Sequence, residues 1–277
     1  VKLCFSQDGY VTSLIFNLLH DAPPYESIDD IIIELREIER ILLEARDRRV
    51  IFVTAYRVFT QELQLRISVN AGTHEFIDVT WVERCALAFA ELYRSALMIF
   101  EANEVIPDVW RLSFETAVKN KGTVILDLLL GMNAHINRDL PHALFQLRDL
   151  IGTDEQRDLR RQDYTAINRV LSSAVDPIQQ KISELYLPVL NIFDDILGPL
   201  DEQLTDFSFE KARANSWANG MALINARNEI ELALRKSSIE DQSEVLGHLM
   251  LVPSEAFPWL NGLLRHLERD GKWSNIL

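Results

Sequence analysis

Cysteine is nearly missing from this 277-residue chain: there are two, Cys4 and Cys85, and neither has a partner at metal-ligand spacing. So few thiols suggest a reducing compartment and a cytoplasmic location, with one disulfide left open. Glycine (10) and proline (9) are scarce as well, and β-type alternation is almost absent. No run of about twenty apolar residues occurs, the length a membrane helix needs. The longest apolar piece near the start, VTSLIFNLL (11 to 19), is too short to span a bilayer and lacks a cationic leader, so neither a transmembrane helix nor a secretory signal is expected. Val1 in place of Met leaves a processed start open. Positive charge is also in deficit, with 28 Lys and Arg against 42 Asp and Glu, a formal net charge of −14 and a pI near 4.9. The densest basic stretches, RDRR (46 to 49) and RDLRR (157 to 161), are interrupted by aspartate and read as solvated helix faces, so nucleic-acid binding is disfavoured. Two catalytic signatures are missing too. There is no Gly-x-Ser-x-Gly elbow, and Glu83 and Glu91 have no His three residues on, which argues against a serine nucleophile and a di-iron centre.

What is present is helical spacing. Hydrophobic residues make up 48% of the chain and charged residues 25%, the composition of a globular protein with a large core. In SIDDIIIELREIERILLEARDRR, Ser27 can cap a helix whose Ile31, Leu35, Ile38 and Leu42 share one face. Val53, Tyr56, Phe59, Leu63 and Ile67 repeat that pattern, and residues 79 to 102 are apolar on more than one side, as in a central helix. Further helices are expected over 108 to 120, 123 to 138, 154 to 175, around 189 to 197, 207 to 236 and 240 to 251, with a short one after Pro258. Pro141 is expected to end or kink the helix before it, with Asp139 capping the next, and Asp176-Pro177 to interrupt or bend another. Roughly ten helices with short connections make an all-α, single-domain multi-helix bundle. Residues 1–25 are expected as an N-terminal extension and 26–277 as the helical domain. Packing onto another copy of the chain is left open.

One stretch breaks the apolar pattern. After VILDLLL comes GMNAHINRDLPHALFQ (131 to 146), with two asparagines, two histidines, an aspartate and an arginine within ten residues. Together with DYTAINRVL (163 to 171) and FEKARANSWANGMAL (209 to 223), it resembles an uncharacterised family of bacterial all-helical proteins with an N-A-H-I-N-x-D-L signature. The resemblance runs from about residue 26 to about residue 225, leaving the ends as features particular to this chain. It implies one helical domain and no mechanism. The positions matching it are Asn133, His135, Asn137, Asp139, Asp163, Asn168, Arg213 and Trp217; His142 lies outside it.

On a helix His135 and Asp139 stand one turn apart and share a face, while Asn133 and Asn137 form a second such pair on roughly the opposite face. Three readings compete. Asp139 can orient His135 as a general acid or base in an inter-helix pocket, with Asn133, Asn137, Asp163, Asn168, Arg213 and Trp217 binding a small, partly apolar substrate for proton transfer, cyclisation or hydrolysis. His135, Asp139 and His142 can instead hold a divalent metal for a hydrolase or oxidase. In the third reading the cluster is architectural, in a non-catalytic module that binds a lipid-like ligand or a protein partner. The first is favoured, with no cofactor by default. Arg213 is expected to pair with a core aspartate, Asp139 or Asp163, with a substrate carboxylate or phosphate as the alternative. Tyr56, Trp110 and Phe114 are expected in the core, and His20, His74, His248 and His266 on the surface or in loops.

Overall fold

Ser27 begins the architecture as its spacing predicts. Its hydroxyl accepts the amide of Asp30, whose carboxylate accepts the amide of Ser27 at 2.8 Å, so two of the donors a helix start leaves open are satisfied reciprocally. The computed structural model describes residues 7–73, 75–186, 209–256 and Gly262, and no strand occurs among them. In order the helices are α1 (Gln7–His20), α2 (Ile28–Ala45), α3 (Val50–Thr73), α4 (Val79–Glu101), α5 (Asp108–Val118) and α6 (Val124–Asn133). A π-helix (Ala134–Asp139) continues α6 and leads into α7 (Leu140–Gln146); α8 (Arg148–Ile151), α9 (Asp154–Tyr186), α10 (Phe209–Ile224) and α11 (Glu229–Ala256) follow. None of the described helices is long and apolar enough to cross a membrane.

Two apolar clusters fill the interior. One gathers Ile15 of α1, Ile38 and Leu42 of α2, Val53 of α3, Leu97 of α4 and Trp110 of α5. The other joins Leu63 of α3, Trp81 and Val82 of α4, Leu144 of α7, Val170 of α9 and Trp217 of α10. Phe59 packs against both, so the middle of α3 is where they meet. Several charges enter this interior in pairs: Arg94 of α4 lies 2.6 Å from Glu34 of α2, and Arg57 of α3 lies 2.6 Å from Glu39. Within the first 25 residues, Val11, Ile15 and Leu19 of α1 are buried in the first cluster, so this segment contributes to the core.

The structure departs from the expected boundaries in three places. α9 does not stop at Asp176-Pro177. A proline inside a helix costs a hydrogen bond and crowds the preceding turn, but the apolar stripe of Ile167, Val170, Ala174, Ile178 and Ile182 runs unbroken past it, and its packing outweighs that cost. The helix expected over 207–236 is split at Asn225–Asn228, where the Asn228 side chain accepts the Glu231 amide at 2.8 Å and caps α11. α11 then runs through residues 237–239, where a gap was expected. The helices expected around 189–197 and after Pro258, together with Cys4, His74 and His266, lie outside the described residues.

Candidate functional site

The polar stretch GMNAHINRDLPHALFQ does not end the helix: α6 runs on through a π-turn into α7. From Ala134 the helix widens to π geometry, and the Leu140 amide bonds to the carbonyl of His135, five residues back. In that register the next donor would be the amide of residue 141, bonding to the carbonyl of Ile136, and proline has none. The hydroxyl of Ser216 on α10 stands 2.7 Å from the Ile136 oxygen and supplies the missing bond. Asp139 is not an N-cap: its backbone is helical and its side chain makes no capping bond. α10 approaches closely because Gly220 faces α7; a Cβ there would meet the Leu144 side chain at 2.8 Å.

The π-turn directs His135 inward. Its Nδ1 lies 3.2 Å from Asp139 Oδ2, which also accepts Trp110 Nε1–H at 2.9 Å, while Oδ1 accepts an Arg138 N–H at 2.8 Å. Both carboxylate oxygens therefore act as acceptors, and Asp139 is fully buried. With Oδ2 accepting, the imidazole proton belongs on Nδ1 and Nε2 presents its lone pair. Nε2 is buried and has no hydrogen-bond partner. Burial holds the His135 pKa below its ordinary value, against the opposing pull of Asp139, so the ring is neutral at pH 7.

Aromatic rings surround this imidazole. Phe89 of α4 stacks on it with centroids 3.4 Å apart, and Tyr56 of α3 meets it edge-on at 4.5 Å. Phe52, Tyr93 and Trp110 complete the cage at 5.7, 6.0 and 6.1 Å. Phe52 gets this close to α6 because Gly131 has no side chain; a Cβ there would lie 2.5 Å from the Phe52 ring. One side of the cage gives onto a hollow of about 90 Å³, lined by His135, Tyr56, Phe89 and Arg213 among mostly apolar neighbours. Leu171, Val175 and Ile178 of α9, all half-buried, form its flank. A smaller hollow of about 30 Å³ adjoins it, sharing Tyr56, Phe89 and Arg213 and adding Cys85. Cys85 is a buried free thiol, its pKa pushed up by burial to about 11, and is no nucleophile in that state.

Arg213 departs from its expected pairing. Asp139 is filled by Trp110, His135 and Arg138, and Asp163 accepts the amides of Ile77 and Asp78 at 2.6 and 2.9 Å, securing the start of α4. The guanidinium instead donates from Nε to Asn168 Oδ1 at 2.7 Å and from Nη2 to the Tyr164 carbonyl at 2.6 Å, and lies 4.2 Å from the Tyr164 ring centroid. The Tyr164 hydroxyl returns a bond to the Arg213 carbonyl at 2.7 Å, so α9 and α10 lock each other. Among the described residues no carboxylate pairs with Arg213.

The remaining sequence candidates are placed away from the hollow. Asn133 donates to the Ser243 carbonyl at 2.8 Å and accepts from Asn137 at 2.9 Å, tying this segment to α11. Trp217 packs against Tyr164 with ring centroids 5.0 Å apart. His142 does not join His135 and Asp139: its Nδ1 lies 2.7 Å from the Arg138 carbonyl and its Nε2 3.9 Å from Glu240. Among the described residues no three His, Cys, Asp or Glu side chains gather where they could hold a metal ion. His20 and His248 are exposed, as expected. Tyr56 and Trp110, expected only as core, turn out to touch His135 and Asp139; their spacing on apolar helix faces looks the same in either role.

A model of a family of unknown function, DUF5995, matches residues 28–253. The chain belongs to this family. The DUF5995 match takes in the whole polar cluster and Arg213, and it runs past residue 225 to include most of α11, which had looked particular to this chain. No curated protein and no solved structure matches the chain.

Proposed function

We propose that this DUF5995 protein is an enzyme acting on a small, partly apolar molecule bound in the hollow beside His135, by acid/base chemistry. The observation that carries this reading is the state of the imidazole: it is neutral, fixed through Nδ1 by Asp139, and has a buried Nε2 with no partner. An unmet buried polar atom costs about 1–3 kcal/mol, and such a cost recurs where a group is held ready for a ligand. Nε2 would accept a proton from the bound molecule and return it at a second position. Asp139 would stabilise the transient imidazolium without touching substrate, since it does not line the hollow. Proton transfer within the substrate fits this best, because the described lining offers no nucleophile beyond the raised Cys85 thiol. A cytoplasmic location belongs to the same reading and is supported by the free thiol.

The second reading, a non-catalytic module holding an apolar ligand, is favoured by the lining, which is almost wholly aromatic and aliphatic. One experiment separates the two. A small-molecule extract is incubated in D2O with wild type or with His135→Gln, and its components are followed by mass spectrometry. The enzyme reading expects a compound that gains deuterium or is consumed only with wild type. A ligand retained by both proteins without turnover supports the binding module instead.

A further inference from the structure

Arg213 is the one permanent cation among the described residues lining the hollow, and it is 95% buried, at 5% exposure. A buried guanidinium ordinarily has a carboxylate beside it, since an uncompensated interior charge is costly. Here its described partners are neutral: the Asn168 amide oxygen and the Tyr164 carbonyl. Those two bonds use Nε and Nη2 and fix the plane of the group, while no hydrogen bond engages Nη1 among the described residues.

We infer that Arg213 is the receptor for a ligand carboxylate, and that the hollow takes short aliphatic monocarboxylates, with the carboxylate on the guanidinium and the chain among the rings around His135. This rests on the hollow being the substrate site. Three features select that class. A single fixed cation balances a monoanion; a phosphate dianion would keep an uncompensated charge in an apolar chamber. The lining beyond Arg213 and His135 rewards burial of hydrocarbon. The hollow of about 90 Å³ is also smaller than the roughly 150 Å³ cavity that admits benzene, which favours a short chain over an aromatic acid. Asn168 is then a positioning residue, holding Nε so that the guanidinium stays aimed at the ligand.

The test uses butanoate, its uncharged isostere butanamide, and inorganic phosphate, titrated into the full chain and followed by NMR shifts and by calorimetry. Butanoate is expected to bind at least about tenfold more tightly than butanamide, the size of one charge-assisted contact, and phosphate is expected not to bind. Arg213→Gln should remove the preference for butanoate, and Asn168→Ala should weaken it. The comparison of butanoate with butanamide needs no variant, so it stands even if Arg213→Gln fails to fold. Equal binding of the two, tighter binding of phosphate, or no binding of butanoate would each overturn the assignment. His135→Gln keeps the two proposals apart. Butanoate bound equally by wild type and His135→Gln, with no compound turned over, leaves the carboxylate site standing and removes the enzyme. His135-dependent turnover of a neutral compound, with no binding of butanoate, does the reverse.

Discussion

The hydroxyl of Ser216 lies 2.7 Å from the carbonyl of Ile136, and so supplies the hydrogen bond that Pro141, one π-turn later, has no amide to make. Its one hydroxyl proton is shared with the Ala212 carbonyl at 2.8 Å, within its own helix, and this side chain couples α10 to the turn that carries His135. Ser216→Ala leaves a buried carbonyl unmet, and the expected loss is about 1–3 kcal/mol in urea unfolding. Pro141→Ala in that background restores a backbone donor and should recover part of the loss. Equal losses in the single and double variants would mean that the hydroxyl plays another role.

Gly131 is where α6 and the Phe52 ring come closest. Gly131→Ala places a methyl about where a Cβ would stand, 2.5 Å from the Phe52 ring, which Phe52 can relieve only by moving within its cage. Overpacking of this kind costs about 1–3 kcal/mol, and a lower melting temperature should come with altered ring-proton shifts at His135. A melting temperature equal to that of wild type would mean that the ring has room to move that the packing does not suggest.

Acid should weaken the fold through His135. Burial holds its folded pKa below the ordinary 6.5, so the unfolded chain takes up a proton that the folded chain resists. Its contribution to stability is complete above about pH 6.5 and is lost as pH falls towards the folded value, at up to about 1.4 kcal/mol per pH unit. His142 is lowered in the same direction, also mainly by burial, and adds to the slope. Urea unfolding at pH 7.5 and 5.5 should therefore show a smaller difference for His135→Gln than for wild type. The same difference in both would assign the acid sensitivity elsewhere.

Asp139 holds three donors, from Trp110, His135 and Arg138. Asp139→Asn keeps the shape but loses the charge opposite Arg138 and forces an amide N–H towards one of those donors. The expected cost is about 3–5 kcal/mol, the range for breaking a buried pair, and the His135 proton is freed to move to Nε2. Thermal melting measures the first effect and the histidine nitrogen shifts the second. A variant as stable as wild type would show that the carboxylate is not the anchor its contacts imply.

Much of this was legible from local spacing. The Ser27 cap, the apolar faces of α2 to α4 and the His135–Asp139 pairing all follow from residues within one or two turns of each other, where geometry is nearly fixed. Contacts across the fold were not. Nothing near Arg213 in sequence indicates that its partners would be Asn168 and Tyr164, or that Asp163 would be taken up by the amides of Ile77 and Asp78. That the helix runs on past Pro141 was out of reach for a related reason: the repair of its missing bond comes from Ser216, 75 residues further on. Two further signals are local ones: the Asn-x-x-Glu cap at Asn228, and the apolar stripe of α9 that continues beyond Pro177.

The most direct test is the protonation state of His135 in the folded protein, read from long-range nitrogen–proton NMR of histidine-labelled chain near pH 7.5, with His135→Gln assigning the signals. The expected spectrum has a protonated Nδ1 and a bare, pyridine-type Nε2. A proton on Nε2, or on both nitrogens, would contradict the arrangement on which the proposed chemistry depends.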